Sequence, residues 1–247
     1  MKTVAFIPAR YQSSRFPGKP LAQIAGKPMI QHVYECASAC PELSEVCVAT
    51  DDKRIAACVH EFGGKAVMTE KSHRSGTDRI SEAALKMGLE KDDLIVNIQG
   101  DQPIFHPSQI SRLVAPLTED ESISMTTLKY KITEESEIRN PNHVKVVTDR
   151  HGFGLYFSRS PIPFYRGTTS SEDYYKHLGL YAFRMGFLIQ FNRFSEGVLE
   201  SAEKLEQLRA LEHGFKIKVV ETPFDSIEVD VHEDIKRIEK MLCSQLH

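Results

Sequence analysis

Three cations lie close together near the amino terminus, in a segment that contains no acidic residue. Residues 7–20 read Ile-Pro-Ala-Arg-Tyr-Gln-Ser-Ser-Arg-Phe-Pro-Gly-Lys-Pro and include Arg10, Arg15 and Lys19. The whole chain is mildly acidic, with a formal net charge of -3, yet residues 1–34 contain no Asp or Glu. A glycine and two prolines beside Lys19 predict a stiff turn that presents its ammonium group. This concentration of positive charge after a first strand predicts a polyphosphate site, with an ordinary basic surface loop as the alternative.

Two acidic motifs offer ligands for a metal ion that would accompany phosphate groups. Asp101 lies in a Gln-Gly-Asp-Gln-Pro motif directly after the apolar run Leu94–Ile98, where Gly100 would leave room for a phosphate. Asp230 lies farther along the chain, where we expect a short strand to run into a helix. Mg²⁺ accepts one or two carboxylates and fills its other positions with water and phosphate oxygens. We therefore predict Asp101 and Asp230 as Mg²⁺ ligands, with a turn-forming aspartate as the alternative for Asp101.

Alternating strand and helix patterns place these motifs at one edge of a sheet. Short apolar runs are typical of buried parallel strands, and the amphipathic patterns between them are typical of helices. The strand runs are Thr3–Ile7, Glu45–Thr50, Lys65–Met68 and Leu94–Ile98, and the helical patterns are Met29–Ala39, Lys53–Phe62 and Arg79–Met87. They predict an α/β fold with a doubly wound, mostly parallel sheet. Ligands of such sheets bind beyond the carboxyl ends of the strands, where the basic segment and the Asp101 motif should meet.

The middle of the chain predicts an inserted antiparallel sheet. A hairpin turn, Asp-Arg-His-Gly, joins two of three further strand-like runs, and two helices follow. The strand-like runs are Val144–Thr148, Phe153–Ser158 and Leu178–Phe183, and the expected helices are Ser201–Glu212 and His232–Leu242. We therefore predict one α/β domain over residues 1–247, with an inserted sheet at about residues 140–185.

The composition argues against several other classes of protein. No apolar stretch approaches the roughly 20 residues of a membrane span, and no signal peptide is recognisable. The chain has no Trp, an acidic balance and only one local basic cluster, so we expect no nucleic-acid partner. Its five cysteines are odd in number and lack metal-binding spacing, which predicts reduced thiols and a cytoplasmic protein.

These motifs together resemble a known enzyme family. Residues 7–20 are similar to the N-terminal signature of sugar nucleotidylyltransferases, and the fuller pattern resembles the 3-deoxy-manno-octulosonate (KDO) cytidylyltransferase family over most of the chain. The resemblance implies a nucleotide-diphospho-sugar transferase-like fold, Mg²⁺ as cofactor, and a homodimer formed largely through the inserted sheet. The implied reaction transfers CMP from CTP to a 2-keto-3-deoxy sugar acid, with release of pyrophosphate, and activates that sugar for lipopolysaccharide synthesis.

The resemblance also implies which residues form the site. The expected CTP-binding residues are Arg10, Ser13, Arg15, Lys19, Arg74, Ser75 and Arg79, and the expected catalytic residues are Arg10, Arg15, Lys19, Asp101 and Asp230. For the segment around Arg74, helix capping by Thr77 or Asp78 is the alternative interpretation. The expected sugar-binding residues are Gln99, Arg159, His177, Tyr181 and Glu206, with Arg159 gripping the sugar carboxylate. From the residues alone, His177 would rather be a strand-edge residue and Glu206 a solvated helix residue.

Two departures from the family pattern raise alternatives for the substrate. The family commonly has the motif Gly-Asp-Glu-Pro, and in this chain Gln102 replaces the glutamate. The family also commonly has the motif Gly-Val-Asp, and in this chain Glu228 replaces the glycine. Residues 224–230, together with the Gly-Asp-Gln-Pro motif, resemble a branch of the family that activates 8-amino-3,8-dideoxy-manno-octulosonate (8-amino-KDO). This resemblance implies 8-amino-KDO as an alternative substrate, whose ammonium group could pair with Glu228. Another 2-keto sugar acid, such as a sialic acid, is a further alternative, and a non-catalytic nucleotide-binding protein is the alternative of another class.

Overall fold

The computed structural model describes residues 1–12, 16–167, 173–229 and 231–244. Strands and helices alternate along most of these ranges. The strands are β1 Thr3–Ala9, β2 Gln23–Ile24, β3 Lys27–Pro28, β4 Glu45–Thr50, β5 Ala66–Met68, β6 Leu94–Asn97, β7 Met125–Lys131, β8 Lys145–Thr148, β9 Gly154–Ser158, β10 Tyr175–Arg184 and β11 Lys218–Glu221. The helices are α1 Met29–Ser38, α2 Lys53–Glu61, α3 Gly76–Lys86, α4 Pro107–Glu119, α5 Glu135–Arg139, α6 Met185–Phe191, α7 Val198–Glu203, α8 Leu208–Glu212 and α9 His232–Ser244.

Within the described ranges, nine strands form one sheet whose main path runs β11-β7-β10-β6-β1-β4-β5. The pairs β1–β4, β1–β6, β4–β5 and β7–β11 are parallel, whereas β10 is antiparallel to both β6 and β7. The antiparallel hairpin β8–β9 joins this sheet through one pair, Lys176 opposite Lys145. The predicted antiparallel insertion is therefore continuous with the main sheet, because β10 is long enough to pair with the hairpin and with β6.

Both faces of the sheet are covered, which explains the unbroken apolar runs of its central strands. Alternate residues of β1 belong to different hydrophobic clusters, because successive side chains of a strand point to opposite faces. Ala5 and Ile7 lie in the cluster with α1, α2 and α4, whereas Val4 and Phe6 lie in the cluster with α3 and α6. A third, smaller cluster packs α9 and Val229 against β2 and α1.

The structure confirms several predicted elements and corrects others. The N-cap of helix α3 is Ser75, whose side chain accepts from Asp78 N, and not Thr77 or Asp78. Asp78 contributes to the capping because its side chain accepts from the backbone N–H of Ser75 at 3.3 Å. The helix expected at Ser201–Glu212 is divided into α7 and α8, because Lys204 has a φ of 54° and ends the first of them. The strand expected before α9 is reduced to a single bridge between Ile104 and Ile227. Strands β7 and β11 and helix α4 are additional elements that the sequence patterns did not predict.

None of the helices in the described ranges combines the length and the apolar character that a membrane crossing requires.

Candidate active site

The ends of β1 and β6 and the start of α3 surround a pocket at the predicted edge of the sheet. Six residues expected at the site line it: Arg10, Lys19, Ser75, Arg79, Gln99 and Asp101. Pro8, Ala9, Pro20, His73, Gly76 and Gly100 complete the lining. We call this cavity the nucleotide pocket. Ser13, Arg15 and Asp230 lie outside the described residues, so their predicted roles stay predictions.

Lys19 lies where three segments that are far apart in the sequence meet, and it forms hydrogen bonds with the other two. Its Nζ donates to Asp101 Oδ2 at 2.7 Å and to the carbonyl oxygen of Val229 at 2.8 Å. The backbone N–H of Val229 in turn donates to the carbonyl oxygen of Asp101 at 2.9 Å. Gly18 makes the turn before Lys19 possible, since its φ of 73° lies in the left-handed region that favours glycine. The basic segment, the Asp101 motif and the segment that ends at Val229 therefore meet at one point.

Gly100 is required by a close backbone contact at the floor of the nucleotide pocket. A Cβ atom at this position would lie 2.9 Å from the carbonyl oxygen of Pro8, at the carboxyl end of β1. The sequence suggested that Gly100 leaves room for a phosphate, and the structure adds a second reason. Without a side chain, the Asp101 turn packs directly on β1 and brings its carboxylate beside Lys19.

Two of the three residues expected around the nucleotide base, Ser75 and Arg79, form hydrogen bonds within the protein. Arg79 is buried, and its guanidinium donates to Thr69 Oγ1 at 2.6 Å and lies 3.3 Å from Asp51 Oδ2. Ser75 lines the nucleotide pocket, and its side chain caps α3. Arg74 instead lines a neighbouring cavity, together with Lys204 and other residues. The roles of all three in CTP binding stay predictions.

A second cavity, which we call the sugar pocket, adjoins the nucleotide pocket. Its lining includes all five residues expected to bind the sugar, together with Glu228, the candidate for substrate specificity. The full lining is Gln99, Asp101, Asn142, Arg159, His177, Gly179, Tyr181, Lys204, Leu205, Glu206, Gln207 and Glu228. Gln99 and Asp101 line both pockets, so the two cavities meet at the end of β6. Two ligands, one in each pocket, could therefore meet beside Asp101.

Arg159 is fixed by three carbonyl oxygens on one side of the sugar pocket. Its Nε donates to the carbonyl of Glu203 at 2.7 Å, and its terminal nitrogens donate to those of Pro141 at 2.9 Å and Lys204 at 3.4 Å. Each terminal nitrogen has a second N–H, so a bidentate grip on a carboxylate is compatible with these contacts.

Glu206 brings a carboxylate with an uncommon environment into the sugar pocket. Its Oε2 accepts from Thr77 Oγ1 at 2.5 Å, whereas its Oε1 is buried without a hydrogen-bond partner in the described part of the chain. Burial raises the pKa of Glu206 above its ordinary value, despite the hydrogen bond from Thr77. Its Oε1, which lies 3.7 Å from the guanidinium of Arg209, is an acceptor for a ligand hydroxyl.

His177 and Tyr181 project from the same face of β10 into the sugar pocket. Burial lowers the pKa of His177 to about 3. Burial, reinforced by the negative charges of Glu206 and Glu228, holds the pKa of Tyr181 well above its ordinary value. Both side chains are therefore neutral at physiological pH and can recognise hydroxyl groups without adding charge.

The pKa of His177 predicts how pH affects the stability of the fold. Between pH 6.5 and about 3 the unfolded chain takes up a proton at His177 while the folded chain does not. The free energy of unfolding should therefore fall as the pH is lowered through this window. We expect His177→Gln to reduce that dependence, measured by urea unfolding at pH 7.5 and pH 4.5. Identical dependence in both proteins would contradict the assigned pKa.

Gln102 and Glu228, which both depart from the family pattern, are in direct contact. Gln102 is fully buried, and its Nε2 donates to Glu228 Oε1 at 3.0 Å at the edge of the sugar pocket. A glutamate at position 102 would place a second negative charge beside Glu228, whereas the amide of Gln102 donates a hydrogen bond to it. The two residues therefore form one unit that presents a carboxylate to the pocket.

Asp101 is the carboxylate that lines both pockets, which makes it the candidate metal ligand in the described residues. Within these residues there is no cluster of three or more His, Cys, Asp or Glu side chains that could hold a metal. The side chain of Asp101 is 31% exposed, at the junction of the two pockets. A site with few carboxylates, next to a cationic pocket, fits Mg²⁺ because this ion fills its coordination shell with phosphate oxygens and water.

Comparison with known proteins identifies the family. A family model described as cytidylyltransferase matches residues 4–218. The chain belongs to the cytidylyltransferase family.

Two similar cytidylyltransferases differ in the sugar that their names specify. The 3-deoxy-manno-octulosonate cytidylyltransferase of Syntrophus aciditrophicus (strain SB) is 55% identical over 244 residues, 99% of this chain and 98% of that protein. The 8-amino-3,8-dideoxy-manno-octulosonate cytidylyltransferase of Shewanella sp. (strain ANA-3) is 53% identical over 246 residues, 98% of this chain and 99% of that protein.

A solved cytidylyltransferase structure has the same fold. The structure of CMP:2-keto-3-deoxy-manno-octonic acid synthetase complexed with CTP matches with a TM-score of 0.93 and 41% identity, over 99% of this chain and all of that chain. These findings confirm the predicted family, the α/β fold class and the predicted enzyme class, a CTP-dependent cytidylyltransferase. They also confirm the main prediction for its reaction, transfer of CMP from CTP to a KDO sugar.

Some lining residues were not among the predicted site residues. Gly179 lies between His177 and Tyr181 in the sequence, and His73 lies next to Arg74, so their positions beside predicted site residues were the available signal. Asn142 lies in an Asn-Pro-Asn turn whose composition indicates only a loop. Gln207 lies between α7 and α8, and the broken helix that places it there was predicted as continuous.

Proposed function

We propose that this cytidylyltransferase holds CTP in the nucleotide pocket and the sugar acid in the sugar pocket, so that they react beside Asp101. The observation that supports this most strongly is that Gln99 and Asp101 line both pockets. The anomeric 2-hydroxyl of the octulosonate attacks the α-phosphate of CTP. A new bond forms between that oxygen and the α-phosphorus, and the hydroxyl proton is released to solvent. The bond from the α-phosphorus to the oxygen that bridges to the β-phosphate breaks, and pyrophosphate leaves with that oxygen.

Charge neutralisation is the main task at the nucleotide end of the site. Arg10, Arg15 and Lys19 are assigned to the triphosphate, because phosphoryl transfer depends on positioning and on stabilising negative charge. Lys19 would also keep Asp101 fixed through their 2.7 Å contact. Arg74, Ser75 and Arg79 are assigned to the nucleoside half.

Asp101 and Asp230 are assigned to Mg²⁺. The bound ion would polarise the α-phosphate and acidify the attacking hydroxyl. Asp101 fits this assignment through its position at the junction of the pockets. Val229, which precedes Asp230 in the sequence, is hydrogen-bonded to Asp101.

At the sugar end, Arg159 is assigned to the carboxylate of the sugar acid. Gln99, His177, Tyr181 and Glu206 are assigned to its hydroxyl groups. This division follows their charges, since Arg159 is cationic and the neutral His177 and Tyr181 suit hydroxyl groups.

Pyrophosphate release tests this function directly. With Mg²⁺, the protein is expected to release pyrophosphate from CTP only when a KDO sugar acid is added, and much faster than from UTP or GTP. A sialic acid as the better acceptor would support the other sugar-acid alternative. CTP binding without pyrophosphate release on any acceptor would support a non-catalytic nucleotide-binding protein.

A second candidate substrate is 8-amino-KDO, favoured by the contact between Gln102 and Glu228. The sequence identities of 55% and 53% to the two kinds of relative do not separate the substrates. Glu228 adds a carboxylate to a pocket that already contains Asp101 and Glu206, and KDO itself is an anion. An ammonium group on the sugar would pair with the added carboxylate, and Gln102 orients it through a 3.0 Å hydrogen bond.

Competition between the two sugars decides between these substrates. If Glu228 binds the ammonium group, the wild-type protein prefers 8-amino-KDO over KDO, and Glu228→Gln lowers the ratio of their kcat/KM values by about 10-fold or more. Glu221→Gln is the control, because Glu221 lies on β11 outside both pockets and its side chain is 53% exposed. A wild-type preference for KDO, or an unchanged ratio in Glu228→Gln, would reject this role of Glu228.

The assembly and location of the enzyme stay predictions from the resemblance and the composition. We propose a homodimer in the cytoplasm, acting in lipopolysaccharide synthesis, with residues 140–185 contributing to the dimer interface. Leu155 and Phe164 of that segment are exposed, at 62% and 88%, which supports an interface there. Light scattering of the purified protein tests the dimer.

A further inference from the structure

Strand β10 contains an irregularity directly beside the sugar pocket. Leu178 lies opposite Leu128 of β7, and Tyr181 lies opposite Thr127. Two residues of β10, Gly179 and Leu180, therefore separate pairs that are adjacent on β7. Bulges of this kind interrupt backbone pairing and re-aim side chains next to functional sites. Here the irregularity lies between His177 and Tyr181, the two residues of β10 assigned to the sugar hydroxyls.

Thr127 supplies the hydrogen bonds that the interrupted pairing leaves open. Its side chain is fully buried, and its hydroxyl donates to the carbonyl oxygens of Leu180 at 2.8 Å and Leu178 at 3.2 Å. A hydroxyl has a single hydrogen, and the carbonyl of Leu180 is the nearest acceptor for it. The oxygen keeps lone pairs with which it can accept.

The same hydroxyl lies 3.0 Å from Nε2 of His177. Of these three contacts the one to the carbonyl of Leu180 is the shortest, and we assign the hydrogen of Thr127 to it. With that assignment, the contact to His177 is a hydrogen bond only if Nε2 carries a proton and donates it. The burial that lowers the pKa of His177 keeps the ring neutral, so Nδ1 then has no proton. The rings of Phe157 and Tyr181 pack against the imidazole, with centroids at 5.1 Å and 5.3 Å, and restrict its rotation.

We propose that Thr127 is a positioning residue that holds His177 as the Nε2–H tautomer, so that Nδ1 accepts a hydrogen bond from a hydroxyl of the sugar acid, an inference that rests on the proposed sugar site. Thr127 itself does not touch the substrate. It converts a ring that could donate or accept into an acceptor, and thereby selects a hydroxyl at that point of the sugar pocket.

Nitrogen-15 NMR of histidine-labelled full-length protein tests the tautomer without substrate, with His177→Gln assigning the signal. The wild type and Thr127→Ser, which keeps the hydroxyl, are expected to show a protonated Nε2 and a bare Nδ1 at His177. Thr127→Val, which has nearly the same shape, is expected to lose that pattern. An Nδ1–H signal in the wild type would overturn the proposal even if Thr127→Val fails to fold.

Kinetics separate positioning from general stability. Thr127→Val should raise KM for the sugar acid by about 10-fold, with KM for CTP changed by less than about 2-fold, and Thr127→Ser should restore the wild-type value. Thr126→Val is the matched control, because Thr126 is also fully buried and its hydroxyl donates to Leu113 at 2.7 Å, away from His177. Equal effects of both valine variants on KM for the sugar acid would contradict the proposal. Failure of the wild type to release pyrophosphate would instead refute the proposed function, and the NMR result would still decide the tautomer.

Discussion

Lys19→Met is expected to lower the turnover of CMP transfer by at least about 10²-fold. The substitution keeps most of the aliphatic stem and removes the ammonium group that donates to Asp101 at 2.7 Å and to Val229 at 2.8 Å. In the wild type the ammonium group stabilises the transition state, in which negative charge develops on the phosphates, and the variant lacks this stabilisation. The two lost hydrogen bonds should also lower the free energy of unfolding by about 1–3 kcal/mol. The measurements are steady-state pyrophosphate release and urea unfolding.

Lys27→Met is the matched control for this variant. Lys27 lies in the same acid-free segment and also forms a 2.7 Å pair, with Glu35, but its side chain is 47% exposed and outside both pockets. Exposed pairs of this kind contribute little, about 0–1 kcal/mol, so turnover and stability should stay near the wild-type values. Near-normal turnover in Lys19→Met would remove Lys19 from the catalytic set.

Asp101→Asn is expected to lower turnover by a similar factor, through loss of a metal ligand. The amide has the shape of the carboxylate but lacks its charge, so it binds Mg²⁺ poorly and no longer forms an ion pair with Lys19. Turnover should fall by at least about 10²-fold, and excess Mg²⁺ should recover part of it. Initial rates over a range of Mg²⁺ concentrations measure both effects.

Asp173→Asn is the control for the loss of a paired aspartate. Asp173 accepts from Lys131 at 2.7 Å on the surface, and neither residue lines a pocket. Its substitution should leave turnover and Mg²⁺ dependence unchanged. If Asp101→Asn shows the wild-type dependence on Mg²⁺ at any turnover, Asp101 is not a metal ligand.

The sequence predicts the parts of the fold that are set by local pattern. Strand β1 and helix α1 follow from an apolar run and from an amphipathic repeat after Pro28, and the structure places both within a few residues of the prediction. The convergence of Lys19 and Asp101 was also predictable, because the carboxyl ends of parallel strands meet at one edge of the sheet.

Other features depend on contacts between distant segments, and no local pattern reveals them. Strand β7 was missed because its Thr and Lys residues interrupt the apolar pattern, and it is fixed by long-range pairing with β10 and β11. The contact between Gln102 and Glu228 spans 126 positions. Thr127 lies 50 positions from His177, and its role depends on the irregular pairing of β10.

In the proposed mechanism, Asp101 and Asp230 bind the same metal ion next to the triphosphate, which the basic segment binds. Electron paramagnetic resonance of Mn²⁺, used in place of Mg²⁺, tests it with the full chain and CTP. We expect CTP to create tight Mn²⁺ binding in the wild type, and Asp101→Asn and Asp230→Asn each to weaken that binding by at least about 10-fold. Undiminished Mn²⁺ binding in either variant would contradict the shared site.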